Sequence, residues 1–139
     1  MARLNRSIRG VALTELALVL PLLLLLTFGV LEYGWLFTKA AELGNAARHG
    51  ARVGVRPGAN SAQVKADIAS FMQLAGLNSA QYQVLLTPSE VAGLAPGQTF
   101  TVRITVPYSQ VELIGFPLVP TPANLRAQVV MAKEGPPGD

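Results

Sequence analysis

Leu16–Leu31 reads LALVLPLLLLLTFGVL, sixteen uncharged residues held between Glu15 and Glu32. Counted from Val11 to Leu31, Glu15 is the only charge in twenty-one residues. A helix of that length rises about 31 Å at roughly 1.5 Å per residue, matching a hydrocarbon core of about 30 Å. Leu22–Leu26 are five consecutive leucines, so the segment is apolar all round and unlike the one-sided helix of a soluble core. Arg3, Arg6 and Arg9 precede it, and the nearest charges beyond it are mixed: Glu32, Lys39 and Glu42. That asymmetry predicts one membrane span with the N-terminus in the cytoplasm and the rest of the chain exported. Tyr33, Trp35 and Phe37, followed by Lys39, resemble an aromatic belt at the far interface. A cleaved secretory signal would share the basic start. Its apolar region is shorter, however, and helix-favouring sequence here runs straight through the place where a cleavage site would stand.

The helix is expected to outlast the span. No proline occurs from Glu32 to Val55, and Ala, Leu, Glu, Lys and Arg supply propensity. Pro57-Gly58 then ends it. A helix over 11–55, span and stalk together, would be roughly 65 Å long. Asn60 offers an N-cap with Gln63 as its capping-box partner, Val64, Ile68, Phe71, Met72 and Ala75 recur at helical spacing, and Gly76 closes a short helix. Three strands follow, over Gln81–Thr87, Gln98–Val106 and Leu125–Lys133. In the second, Phe100, Val102, Ile104 and Val106 alternate with Thr99, Thr101, Arg103 and Thr105. Pro107, Pro117, Pro120 and Pro122 mark the stretch between the last two as loop. The fold class is α+β: a long N-terminal transmembrane and stalk helix, then a small domain over 56–134 with one short helix and a three-stranded antiparallel sheet. Residues 1–10 read as a basic leader and 135–139 as a flexible tail.

Composition excludes several classes. Half of the 139 residues are apolar, only 14% are charged, and the mean hydropathy of +0.38 is too high for a disordered tail. No cysteine is present, which removes disulfide scaffolds and thiolate zinc sites. The net charge of +3 resides in the first ten residues; from Val11 onward eight basic residues balance eight acidic ones. No basic face is left for nucleic acid.

Catalytic signatures are lacking. His49, the single histidine, stands among Arg48 and Arg52 with no carboxylate or serine at useful spacing, and reads as a solvated surface residue. There is no phosphate loop after a strand and no carboxylate cluster with metal spacing, so neither a cofactor nor a metal is expected. Four features stand out instead. Glu15 lies a turn inside the apolar segment, where it can snorkel to the interface or neutralise a positive partner such as a free α-amino group. Ala40, Gly44, Ala46, Gly50 and Gly54 set small residues at four-residue spacings that let helix backbones approach. Pro21 removes one helical hydrogen bond within the span and is expected to kink or loosen it. Leu113–Val119 is an apolar loop, read as tucked over the sheet in preference to a partner-binding patch.

The residues RSIRG-VALTE-LALVLPLLLLLTFGVLEYGWLF resemble the N-terminus of type IV pilin-like proteins, specifically the TadE-like minor pseudopilins of the tight-adherence (Flp) pilus system. The similarity continues through AARHGARVGV and, more weakly, through VRITVPYSQ and PLVPTPANLRAQVVMAKE. The resemblance implies a leader ending at Gly10, cleavage by a membrane prepilin peptidase, and Val11 as the first mature residue, open to methylation of its amino group. Glu15 would then be the fifth mature residue, pairing with the Val11 α-amine of a neighbouring subunit. The implied partners are the prepilin peptidase, other pilins or pseudopilins of the filament, an inner-membrane assembly platform and membrane lipid. The implied location is the inner membrane as a single-pass protein, or an extracellular pilus. The chain lacks the cysteines that some relatives carry, and it is far longer than the short major pilins, which favours a minor subunit. Rival readings are an uncleaved membrane-anchored periplasmic binding or scaffold module, an exported enzyme released by signal peptidase, and a pseudopilin of type II secretion.

Overall fold

The computed structural model describes residues 4–135, with side chains from residue 10 onward. Met1–Arg3 of the expected leader and Pro136–Asp139 of the expected tail lie outside the described residues. Helix α1 covers Leu4–Val55 and contains Pro21; α2 covers Ser61–Leu74. Strands β1 (Gln83–Thr87), β2 (Thr99–Pro107) and β3 (Asn124–Ala132) form one antiparallel sheet in the order β1-β2-β3.

α1 behaves as two helices end to end. Its most apolar 18-residue window has a mean hydropathy of 2.4, and none of that window is buried. The C-terminal part is a core element: Leu43, Ala46, Ala47, Ala51 and Val55 are buried against α2 and the sheet. A helix that buries nothing in its own protein where it is most apolar does not read as a soluble core helix.

α2 starts with the expected capping box. Asn60 accepts from the Gln63 N–H, and the Gln63 side chain accepts from the Asn60 N–H. It ends through Gly76 at φ +81, with the Leu77 N–H returning to the Met72 carbonyl at 2.9 Å. Val64, Ile68 and Met72 form its buried stripe.

The strand pattern follows the pleat. Phe100, Val102, Ile104 and Val106 face the helices, and β3 answers with Leu125 and Ala127, paired with Val106 and Ile104. The opposite face holds Leu85, Arg103, Gln128 and Val130, as a one-sided antiparallel sheet requires. β1 begins at Gln83, two residues later than the sequence suggests, because its ladder with β2 starts at the Gln83–Thr105 pair. β3 ends at Ala132, which frees Lys133 for another task. The Lys133 Nζ donates to the Gly54 and Arg56 carbonyls at 2.9 and 2.8 Å, closing the C-terminus of α1, where the helix dipole favours a cation.

The apolar loop departs from expectation. Leu113–Val119 does not cover the sheet; it lies along α1 in the direction of the apolar segment, with the Phe116 ring 5.6 Å from that of Phe28. The inner sheet face is already filled by α1 and α2, so the loop finds its apolar neighbour on the unoccupied helix.

Candidate functional site

The expected processing residues lie on open helix. A Cβ at Gly10 would meet nothing within 4 Å beyond its chain neighbours and its own helical backbone, and the Gly10 carbonyl accepts from the Thr14 hydroxyl at 2.9 Å. Val11 and Glu15 are both exposed and, four residues apart, share one helix face. No hydrogen bond or ion pair to the Glu15 side chain occurs among the described residues. Pro21 lies six residues on, also exposed, with the helix continuing on both sides.

The small residues divide. Ala46, Gly50 and Gly54 are buried within the chain's own fold: a Cβ at Gly50 would overlap Ile68, and one at Gly54 would meet Phe100 Cζ at 2.5 Å. Ala40 is exposed, and Gly44 is half-buried under the Arg48 guanidinium. The close helix approach at 46–54 therefore joins α1 to α2 and β2 of the same chain.

The densest polar site was missed by sequence reasoning. Glu32, the residue just past the apolar run, is 1% exposed. Its carboxylate accepts from the Tyr108 hydroxyl at 2.5 Å, the Ile114 N–H at 2.9 Å and the Leu113 N–H at 3.3 Å. Burial works to raise its pKa; the hydrogen bonds from Tyr108, Ile114, Leu113 and Gly115 outweigh that and hold the carboxyl below its ordinary value. Burial and the facing Glu32 push the Tyr108 phenol well above its usual range. Either side of this node, the Tyr33 hydroxyl donates to the Pro120 carbonyl at 2.7 Å and the Trp35 Nε1–H to the Val111 carbonyl at 2.6 Å. Two of the three aromatics read as an interfacial belt thus also clamp both ends of the loop to α1. Lys39 adds a further tie: its ammonium sits 4.8 Å over the Trp35 ring and donates to Glu42 and to the Ala75 carbonyl ending α2.

His49 is exposed, as expected of a surface residue, and the fold gives it a partner. Its Nδ1 lies 2.6 Å from Asp67 Oδ2, and its ring packs 4.3 Å from that of Phe71. The carboxylate comes from α2, eighteen residues on, so local spacing could not reveal it.

Comparison with known proteins singles out most of α1, its exposed apolar part with the Gly10, Val11 and Glu15 positions and much of its buried part: residues 10–52 match the TadE-like protein family. That stretch of α1 is similar to the TadE-like family. The match ends inside α1, so it covers under a third of the chain and leaves α2 and the sheet outside. No curated protein and no solved structure matches the chain. The long unburied helix is compatible with a single-pass membrane anchor.

Proposed function

We propose that this chain is a minor pilin-like subunit, a pseudopilin, that assembles or primes a Tad-type pilus or related secretion filament. It performs no chemistry of its own. A prepilin peptidase cuts between Gly10 and Val11, and Glu15 then meets the new α-amine of a neighbouring subunit. The observation that supports this most is the state of α1: a TadE-like helix whose apolar half, with Glu15 on it, is exposed in the monomer. In lipid that surface is solvated. In a filament it packs against the same surface of other subunits, where a carboxylate needs a buried cation as its partner.

The test is the intact mass of the protein purified from membranes, with and without co-expressed prepilin peptidase. A chain beginning at Val11, dependent on the peptidase and lost on Gly10→Leu, supports the reading. A chain that keeps its leader in the presence of active peptidase overturns it and favours the uncleaved anchored module.

A further inference from the structure

We propose that the loop Leu113–Val119 is a second membrane element, lying beside α1 in the outer half of the bilayer with lipid acyl chains against it. This rests on reading Val11–Leu31 as a membrane span.

Depth is the first argument. Leu118 sits between two grooves on α1, of about 640 and 520 Å³, both of which include Leu22 and Leu25. Leu22 precedes Glu32 by ten residues, a rise of about 15 Å, which is half of a hydrocarbon core about 30 Å thick. The loop is therefore level with the exported half of the span. No charged side chain lines either groove.

Exposure is the second. Leu118 is 70% exposed, and Leu113 and Ile114 are also open, although the loop packs Phe116 and Val119 inward. Leu118 continues the exposed surface of Leu22, Leu26 and Val30, with which it lines one groove. In water that would be a large unfavourable patch; in lipid it is solvated. From Leu113 to Leu125 the sequence carries no charge.

The third argument is backbone chemistry, since hydrocarbon tolerates irregular chain only where its polar groups find partners. The Leu113 and Ile114 N–H groups donate to Glu32, and Val119 donates to the Phe116 carbonyl. The Val111 and Pro120 carbonyls accept from Trp35 and Tyr33. Pro117 and Pro120 have no N–H to satisfy. These contacts fix both ends of the loop on α1 and take up the N–H groups at 113, 114 and 119.

Because the chain has no cysteine, a single introduced thiol is unique. We would place an environment-sensitive fluorophore on Leu118→Cys, Leu22→Cys and Leu85→Cys of the full chain. Each would be reconstituted in phosphatidylcholine–phosphatidylglycerol vesicles with or without acyl-chain spin-labelled lipid. Leu85 is an exposed apolar residue on the outer sheet face and serves as the aqueous control. The expected result is that labels at Leu118 and Leu22 both lose emission to the spin-labelled lipid, while Leu85 loses emission only to aqueous iodide. Quenching at Leu22 with iodide quenching at Leu118 would overturn the loop proposal and leave the anchor intact. A Leu118 label shielded from both quenchers would overturn it in favour of a second protein copy on that face. Absence of lipid quenching at Leu22 would remove the span reading itself, and the loop proposal with it.

Discussion

The Glu32 carboxylate and the Tyr108 hydroxyl are 76 residues apart along the chain and 2.5 Å apart in space. Through this contact the exit of the apolar helix is tied to the end of β2, and the loop after Tyr108 is held against α1. Glu32→Ala leaves a buried phenol and two loop N–H groups without their acceptor, at a cost of about 2–4 kcal/mol. Tyr108→Phe removes one donor and leaves the carboxylate its backbone partners, costing about 1–2 kcal/mol. Thermal melts in detergent are expected to rank wild type above Tyr108→Phe above Glu32→Ala, with protease cleavage in 113–119 rising in the same order.

The helix contact at Gly50 and Gly54 predicts a sign difference among glycines. Ala in place of Gly gains up to about 1 kcal/mol of helix propensity. At Gly44 the added methyl meets only the exposed Arg48 guanidinium, at an ordinary contact distance of 3.7 Å, so Gly44→Ala is expected to stabilise. At Gly54 it meets the buried Phe100 ring at 2.5 Å, and overpacking of about 1–3 kcal/mol outweighs the gain. Denaturant midpoints of Gly44→Ala and Gly54→Ala should move in opposite directions from wild type.

Lys133→Met tests the closure of α1. The substitution keeps an apolar stem but removes the ammonium from the Gly54 and Arg56 carbonyls, at about 1–3 kcal/mol. Amide hydrogen exchange is expected to accelerate at the C-terminal turn of α1, with the β1–β2 pairing unaffected.

Acid should weaken the domain partly through Glu90. Its carboxylate accepts from the Ala92, Ser61 and Val91 N–H groups and the Ser61 hydroxyl, which hold its pKa below the ordinary value. A carboxyl depressed on folding contributes stability above its unfolded pKa and loses it as pH falls through the folded one. Between neutrality and about pH 3, wild type is expected to lose more stability than Glu90→Gln, read as the shift in urea midpoint.

Glu15→Ala addresses the proposed function directly. Cleavage after Gly10 is expected to persist, since the substitution spares the Gly10–Val11 bond, while co-isolation with other pilus components from membranes falls. Retention of full co-isolation would restore Glu15 to a residue that merely reaches the interface.

Much of the architecture was legible because it is encoded locally. The long apolar helix segment, the Asn60–Gln63 capping box, the Gly76 stop and the alternation in β2 each rest on residues within a few positions of one another. The resemblance at the N-terminus was legible for the same reason: its motif is contiguous. Glu32 was not, since a carboxylate beside an apolar run looks like any flanking charge until Tyr108 and Ile114 are brought to it. The surface position of His49 was legible, but its contact with Asp67 was not, since that partner belongs to another helix.

The sequence alone determined which helix is long and apolar enough to cross a membrane, where the helices end, and which strand face is apolar, because hydropathy and capping act at short range. Only the tertiary structure decided where the small residues of α1 spend their close approach and where the apolar loop lies. Both depend on which surfaces remain once α1, α2 and the sheet have packed. The inner sheet face was full, the N-terminal helix was bare, and Glu32 supplied acceptors there for the loop's N–H groups.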